Sequence, residues 1–215
     1  MWFAGPARRV PDAGRPRALR LGLHLETGMR VGLYGGSFNP VHDGHLQVAR
    51  TAKARLGLDR VIWLVTPGNP LKAAPTGLEA RLRAVKARMA DPSMIVSGLE
   101  ARTASRFSLD TVRILKAHYP GVKFVWIMGA DNLASFHRWR GWTEIMRQVP
   151  VAIVARPGAM LSGLSSPAAR RFAHARIPAS RAKRLPLMTA PAWVFLPTPL
   201  NFASSTALRS QALVR

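Results

Sequence analysis

The sequence predicts an α/β fold in which helices cover both faces of a parallel sheet. Short apolar runs, of the length that buried strands have, alternate along the chain with segments of helical periodicity. Strands that alternate with helices favour right-handed crossover connections, which place the strands parallel. The chain of 215 residues is long enough to bury the core of one domain. We therefore expect a doubly wound sheet in a single main domain.

The predicted sheet begins with two buried strands joined by one helix. Arg30–Tyr34 and Val61–Val65 are short runs of mainly apolar residues, as expected of strands that are covered on both faces. Between them, Gly44–Leu56 has apolar residues at helical spacing, and Gly57 follows as a helix-ending residue. This order is that of a parallel unit with a helical crossover.

The middle of the chain repeats this order. Leu78–Met89 is predicted as a helix that ends before an Asp-Pro pair, and Met94–Val96 as a short strand. Leu109–His118 is predicted as a helix that Pro120 stops, and Lys123–Met128 as a strong strand. The alternation therefore continues past the centre of the chain.

The two ends of the chain are less regular. Val151–Val154 and Trp193–Leu196 are predicted as further strands, whereas residues 156–191 are rich in Arg, Ser and Pro and predict no clear element. The first 28 residues are rich in Arg and Pro and have no sustained period. We therefore predict that residues 1–28 form a basic flexible extension, whose removal leaves stability unchanged, and that residues 29–215 form the domain.

Composition excludes several classes of protein. No apolar run approaches the length of about 18 residues that a bilayer span requires, so we expect no membrane partner. The chain has no cysteine, which excludes disulfide frameworks and thiolate metal sites and agrees with a cytoplasmic location. The net charge of +22 attracts polyanions, but codon bias towards Arg explains it equally well. Charge alone therefore does not name a partner.

Residues 35–45, Gly-Gly-Ser-Phe-Asn-Pro-Val-His-Asp-Gly-His, directly follow the first strand. Ligands of open α/β sheets bind at the carboxyl ends of strands, and a glycine pair lets the backbone approach a phosphate closely. The next helix directs its N-terminus, with free N–H groups, at the same place. His42 and His45 share one face of that helix, where imidazoles donate hydrogen bonds to phosphate oxygens. We predict a phosphate-binding site here.

This string resembles the signature of the HxGH nucleotidyltransferase superfamily over residues 36–45. Residues 204–209, Ser-Ser-Thr-Ala-Leu-Arg, are similar to the superfamily's second signature. Hydroxyl groups there would cap a helix N-terminus, and Arg209 one turn later would pair with a phosphate. The resemblance implies a Rossmann-like doubly wound sheet and a single nucleotidyltransferase domain.

Two further segments narrow the resemblance to bacterial nicotinate-nucleotide adenylyltransferases. They are residues 129–133, Gly-Ala-Asp-Asn-Leu, and residues 136–142, Phe-His-Arg-Trp-Arg-Gly-Trp. This family transfers the adenylyl group of ATP to nicotinate mononucleotide, releases pyrophosphate, and uses Mg²⁺ carried by ATP. The resemblance implies a cytoplasmic enzyme of NAD biosynthesis whose partners are these two substrates.

The resemblance also assigns residues. Catalytic roles are implied for His42, His45, Lys72 and Arg209. Contacts to ATP are implied for Gly35, Gly36, Ser37, Phe38, Gly44, Gly129, Asp131, Ser204, Ser205 and Thr206. Contacts to nicotinate mononucleotide are implied for Ser108, Trp139 and Arg156, with the Trp139 ring stacked on the pyridine. No protein ligand for a metal is expected, because phosphates and water hold Mg²⁺.

Two positions depart from the family pattern. Asn39 stands where many relatives have aspartate, so no carboxylate role is transferred to it. Arg140 stands where some relatives have an aromatic residue beside the stacking tryptophan.

Three other functions compete with this interpretation. An adenylyltransferase of the same superfamily could act on another phosphate acceptor, such as phosphopantetheine. A non-catalytic RNA-binding protein would show salt-dependent RNA binding that survives His45→Ala, although we expect no specific nucleic acid partner. Class I aminoacyl-tRNA synthetases share the His-x-Gly-His pattern but are much larger. The oligomeric state is left open, with a homo-oligomer as one outcome.

Overall fold

The structure, a computed structural model, describes residues 21–67, 77–103, 107–157 and 159–199. Its strands are β1 (Arg30–Gly36), β2 (Arg60–Val65), β3 (Met94–Ser97), β4 (Lys123–Gly129), β5 (Val151–Val154), β6 (Arg176–Ile177) and β7 (Trp193–Leu196). They form one parallel sheet in the order β3-β2-β1-β4-β5-β7-β6. This order confirms the predicted doubly wound sheet.

Helices connect the strands. The α-helices are α1 (Asp43–Leu56), α2 (Leu78–Ala87), α3 (Leu99–Arg102), α4 (Ser108–His118), α5 (Ala130–Ser135), α6 (Trp142–Gln148), α7 (Met160–Leu164) and α8 (Pro167–Arg171). Segments of 3₁₀ helix span Phe136–Arg138, Ala173–Ala175 and Ala179–Leu187. Across the described ranges, no helix combines the length and apolar character that a membrane span needs.

One apolar layer lies on each face of the sheet. Residues of α3, α4, α5, α6 and α8 pack on one face together with Trp126 and Trp193. Residues of α1, α2 and the 3₁₀ segment 179–187 pack on the other face together with Phe38 and Trp63. Because both faces are covered, the central strands are apolar along most of their length, which is why the sequence predicts them well.

The sheet ends in a very short edge strand. β6 has two residues and lies in the segment 156–191, where the sequence predicted no clear element. The Arg176 guanidinium lies over the ring of Trp193, 5.3 Å from its centroid. The helices α3, α5, α6, α7 and α8 were likewise not predicted, because helices of seven residues or fewer show little periodicity.

The segment 21–28 packs on the domain. Leu21 and Leu23 are 3% and 8% exposed and lie in the same apolar layer as Trp126. The Tyr119 hydroxyl donates a hydrogen bond to the carbonyl oxygen of Leu23 over 2.8 Å. The prediction that residues 1–28 form a flexible extension is therefore wrong for residues 21–28, because they bury apolar side chains. Residues 1–20 lie outside the described residues.

We expect Leu23→Ala to lower the free energy of unfolding by about 2 kcal/mol, since truncating a buried leucine removes apolar contacts and leaves a cavity. Denaturant unfolding followed by circular dichroism measures this loss. Leu187→Ala is the matched control, because Leu187 is 66% exposed. Equal stabilities of the two variants would show that Leu23 does not belong to the core.

Candidate active site

The candidate site lies where the order of successive strands in the sheet changes direction. β1 is followed by β2 and β3 on one side, whereas β4 and β5 lie on the other. The carboxyl ends of β1 and β4 therefore border a crevice of the kind that binds ligands in open α/β sheets. The residues assigned from the sequence that end or follow β1, β4 or β5 in the described ranges are Gly35, Gly36, Ser37, Phe38, His42, Gly44, His45, Gly129, Asp131 and Arg156.

Aromatic rings explain the glycine pair at the end of β1. A Cβ atom on Gly35 would lie 3.0 Å from the Trp126 ring, and one on Gly36 would lie 3.0 Å from the Phe38 ring. Both distances are shorter than ordinary van der Waals contact. The missing side chains thus make room for two protein rings. We still predict that both glycines contact ATP, and any such contact would be made by their backbone atoms.

Phe38 positions His45. The Phe38 backbone is in the left-handed region, at φ +47°, and its ring is 2% exposed. The ring meets the His45 imidazole edge to face, with centroids 5.1 Å apart, and also packs on Trp63. The Phe38 side chain, which the sequence analysis assigned to a contact with ATP, therefore packs against the His45 ring and restricts its orientation.

The two histidines contact each other at the N-terminus of α1. The backbone N–H of His42 donates a hydrogen bond to Nδ1 of His45 over 3.3 Å, and the ring centroids are 3.8 Å apart. Because Nδ1 of His45 accepts this bond, the neutral ring carries its proton on Nε2. Nδ1 of His42 is buried, and the His42 side chain faces the backbone N–H of His45 in a capping box at the start of α1.

His42 is neutral at pH 7. Burial, followed by the positive charge of Arg156, lowers the pKa of His42 from 6.5 to about 4, against a weaker opposing effect of nearby carboxylates. A neutral imidazole donates or accepts a hydrogen bond without adding a charge. The positive character of the site therefore comes from Arg156 and from the α1 N-terminus.

Arg156 brings a cation from the end of β5 to the end of β4. Its Nε lies 4.0 Å from Oδ1 of Asp131, and its side chain is mostly buried. Glycine at position 129 leaves the space that both of these side chains occupy. Burial raises the pKa of the Tyr34 hydroxyl, on which the charges of Arg156 and Asp131 also act. The ion pair thus borders the same crevice as His42.

Two of the residues assigned to the acceptor, Ser108 and Trp139, lie on the side of the sheet that carries α4. Ser108 is the first residue of α4, as the sequence predicted within one residue. The half-buried Trp139 ring packs edge to face on Trp126 and Phe136, with centroids 6.4 and 5.3 Å away. Trp126 also lies over Gly35, so one ring links Trp139 to the end of β1.

Comparison with known proteins decides the family. The cytidylyltransferase-like family matches residues 33–211. A protein of Caulobacter sp. (strain K31) named "Probable nicotinate-nucleotide adenylyltransferase" is 62% identical over 185 residues, which cover 85% of this chain and 98% of that protein. A protein of Cereibacter sphaeroides (strain ATCC 17023) with the same name is 52% identical over 183 residues, which cover 85% and 97%. The chain belongs to the nicotinate-nucleotide adenylyltransferase family. The resemblance seen in the motifs is confirmed.

Solved structures show the same fold. "Plasmodium falciparum nicotinic acid mononucleotide adenylyltransferase complexed with NaAD" has a TM-score of 0.63 at 16% identity and covers 84% of this chain and 82% of its own. The same enzyme complexed with APC has a TM-score of 0.61 at 15% identity, covering 85% and 83%. The Rossmann-like fold implied for a nicotinate-nucleotide adenylyltransferase is therefore confirmed.

Five assigned residues of this chain lie outside the described residues. They are Lys72, Ser204, Ser205, Thr206 and Arg209. Their roles, like the division of the other site residues between ATP and acceptor, stay predictions.

Arg81 is a site residue that the sequence did not predict. It lies on α2, is 2% exposed, and donates hydrogen bonds to the carbonyl oxygens of Ser37, Thr66 and Pro67 over 2.8, 2.7 and 3.0 Å. These carbonyls belong to the turns after β1 and β2, so one side chain ties the two turns together. The spacing of the sequence could have indicated that Arg81 is buried. Arg81 lies four residues before the buried Val85 and thus on the apolar face of α2.

Glu100 is a second residue that the sequence did not predict, and it lies beneath α4. It is 3% exposed, and the Thr111 hydroxyl donates a hydrogen bond to its Oε1 over 3.1 Å. Burial raises the pKa of the Glu100 carboxyl from 4.5 to about 7, although the bond from Thr111 opposes this shift. Between pH 4.5 and about pH 7, the Glu100 carboxyl is therefore protonated in the folded protein but ionised in the unfolded chain.

It follows that stability falls as pH rises through this interval, because the folded-state pKa lies above the unfolded one. Between about pH 5.5 and 7.5 the loss due to Glu100 amounts to about 2 kcal/mol. We expect Glu100→Gln to remove most of it, as measured by urea unfolding across this pH range. Glu79→Gln, at an exposed position on α2, is the control. Parallel pH profiles for wild type and Glu100→Gln would contradict the prediction.

Proposed function

We propose that this chain transfers the adenylyl group of MgATP to nicotinate mononucleotide in the cytoplasm, as a step of NAD biosynthesis. The products are nicotinate adenine dinucleotide and pyrophosphate. The geometry that carries this proposal is the pair His42–His45 at the α1 N-terminus, facing the Arg156–Asp131 pair across the switch point of the sheet. The names of relatives that are 52–62% identical over nearly their full length support the same substrate.

The chemistry requires no strong general base. The 5′-phosphate of the acceptor is already an anion at neutral pH, so one of its oxygens attacks the α-phosphorus of ATP directly. The new P–O bond forms as the bond to the bridging oxygen of pyrophosphate breaks, and pyrophosphate leaves with Mg²⁺. Catalysis then depends on holding two polyanions in line and neutralising the charge on the transferring group.

The residues present suit that task. The α1 N-terminus and His45 Nε2–H would donate hydrogen bonds to phosphate oxygens, and neutral His42 would add one more without repelling a cation. Arg156 would supply positive charge. Lys72, Arg209 and the hydroxyls of residues 204–206 would complete the phosphate contacts that the resemblance implies.

Mg²⁺ would enter with ATP as part of the substrate. Within the described residues, no group of three or more His, Asp or Glu side chains could hold a metal ion. We assign its coordination to phosphate oxygens and to water, because Mg²⁺ binds substrate phosphates and retains several of its waters.

Pyrophosphate release tests the proposal with a panel of substrates. ATP or CTP is combined with nicotinate mononucleotide, nicotinamide mononucleotide or phosphopantetheine, and the products are identified by mass. We expect the fastest release from ATP with nicotinate mononucleotide. Preference for CTP or for phosphopantetheine would assign the chain to another reaction of the superfamily.

A further inference from the structure

A short segment near the last strands carries a strong positive charge. Residues 145–215 contain ten Lys and Arg residues and no Asp or Glu. Codon bias towards Arg adds cations along the whole chain, but it does not explain why acids are missing from this part of it. Six of the ten cations are exposed and lie in residues 170–184, which we call the basic segment: Arg170, Arg171, Arg176, Arg181, Lys183 and Arg184.

The protein does not neutralise these cations itself. Among the residues that the structure describes, every ion pair lies outside the basic segment. Glu144, the last acid of the sequence, is already paired with Arg147 over 2.6 Å. The charge of the basic segment therefore attracts polyanions from solution.

The basic segment runs around the free edge of the sheet. It contains the edge strand β6, in which Arg176 is paired with Trp193, the first residue of β7. The Arg176 side chain lies over the Trp193 ring, on the side of the sheet that carries α4. The 3₁₀ segment 179–187 packs on the opposite side, against α1. The cations thus lie on both sides of one edge.

Aromatic rings hold two of the arginines on the α4 side. The guanidinium of Arg171 lies 5.9 Å from the centroid of the Trp142 ring, and that of Arg176 lies 5.3 Å from the centroid of Trp193. A guanidinium over an aromatic ring keeps N–H donors available to phosphate oxygens, whose geometry its planar fork matches. These two cations are therefore in place before a ligand binds.

Buried residues anchor the other cations on the α1 side. Ala182 and Leu185 are 1% and 0% exposed and pack in the same apolar layer as α1. The residues around them, Arg181, Lys183 and Arg184, are exposed. The packing of this 3₁₀ segment therefore presents three cations to solvent.

The placement of these charges favours a flexible polyanion. A DNA duplex is stiff, with a persistence length of about 150 base pairs, and a membrane is a broad surface, so either one would contact the cations on one side of the edge. A single strand carries a phosphate at every nucleotide on a rotatable backbone, so it can follow the cations around the edge. Arginine, which supplies five of the six cations, also suits phosphate recognition better than lysine.

We propose that the basic segment binds the phosphodiester backbone of a single-stranded nucleic acid, without preference for base sequence. Phosphates of the strand contact Arg171 and Arg176 on the α4 side of the edge. Neighbouring phosphates contact Arg181, Lys183 and Arg184 on the α1 side. This surface is separate from the candidate active site, because β6 pairs with the amino end of β7 whereas the crevice lies at the carboxyl ends of β1 and β4. The inference therefore does not depend on the proposed function.

The test measures binding of a labelled oligouridylate to the full chain by fluorescence anisotropy over a range of salt concentrations. The edge variant combines Arg181→Gln, Lys183→Gln and Arg184→Gln. The matched control removes the same charge at exposed positions of α2 and α4, by Arg83→Gln, Lys86→Gln and Arg113→Gln.

Each cation that contacts a phosphate of a single strand adds about 0.7 to the slope of log Kd against log salt concentration. We therefore expect the edge variant to lower this slope by about 2 and the affinity at about 0.1 M salt by about a hundredfold. Arg171→Gln combined with Arg176→Gln should lower the slope by about 1.4, because cations on both sides of the edge take part. We expect the control variant to bind almost as the wild type does.

Equal losses in the edge and control variants would show that total charge, not this surface, attracts the strand, and would overturn the proposal. An RNA duplex or phosphatidylglycerol vesicles that bound as tightly as the oligouridylate would overturn it as well. Competition by saturating MgATP would place the strand in the crevice instead. Pyrophosphate release is measured separately, and we expect the edge variant to retain the wild-type rate. A fall in that rate would contradict the separation of this surface from the active site.

Discussion

Replacement of His45 by alanine is expected to lower kcat by about a hundredfold to a thousandfold and to leave the melting temperature almost unchanged. His45 is half-buried at the first turn of α1, and its Nδ1 already accepts a bond from the His42 backbone. Its Nε2–H is therefore oriented before substrate arrives, at the place where we propose that charge grows on the transferring phosphate. A donor fixed in this way stabilises the transition state without reorganisation.

Turnover with saturating MgATP and nicotinate mononucleotide measures this loss. His45→Gln keeps an N–H donor at a similar distance from the backbone, so we expect part of the activity to return. His118→Ala removes an exposed histidine at the end of α4 and serves as the control. Near-normal turnover of His45→Ala would remove the residue from the mechanism.

Replacement of Arg81 by methionine is expected to destabilise the protein by about 3 kcal/mol or more. Methionine fills much of the space but donates no hydrogen bond, so the carbonyl oxygens of Ser37, Thr66 and Pro67 lose their shared donor. These carbonyls are partly buried, so each costs about 1 kcal/mol when it loses its donor, the low end of the range for such groups. For a chain of this size the melting temperature should fall by about 6–12 °C.

The same variant should also lose activity, because the turns after β1 and β2 border the site. Arg83→Met is the matched control, since Arg83 lies on the exposed side of the same helix. Thermal unfolding and kcat/KM for MgATP are measured for both variants. If Arg81→Met unfolded at the same temperature as Arg83→Met, the three carbonyls would have found other donors, and Arg81 would not hold the turns.

The fold was predictable where local sequence and tertiary environment impose the same pattern. Val61–Val65 is buried on both faces, so a run of apolar residues is both the local and the global requirement. The helix α1 ends at Gly57, whose φ of +63° suits glycine, and that end was predicted. The string predicted to bind phosphate was recognisable because all of its members lie within eleven consecutive residues.

Other features depend on segments that meet only in the folded chain. Arg81 lies on the apolar face of α2, but its three partner carbonyls come together only when the turns after β1 and β2 have folded. Leu23 lies in a segment of mixed composition, and its burial depends on the layer that α4 and β4 build. The lowered pKa of His42 comes first from burial in the folded chain and then from the charge of Arg156, which is more than one hundred residues away in sequence.

The brevity of β6 affects how copies of this chain meet in solution. A sheet edge exposes backbone N–H and C=O groups that can recruit a strand from another molecule, and such recruitment leads to aggregation. Here the edge next to β7 offers two residues, and Arg176 at that edge carries a charge that repels the same edge of a second copy. Continuation of the sheet from one copy into the next is therefore disfavoured at this side. A homo-oligomer would form through helices, loops or the opposite edge strand, β3, instead.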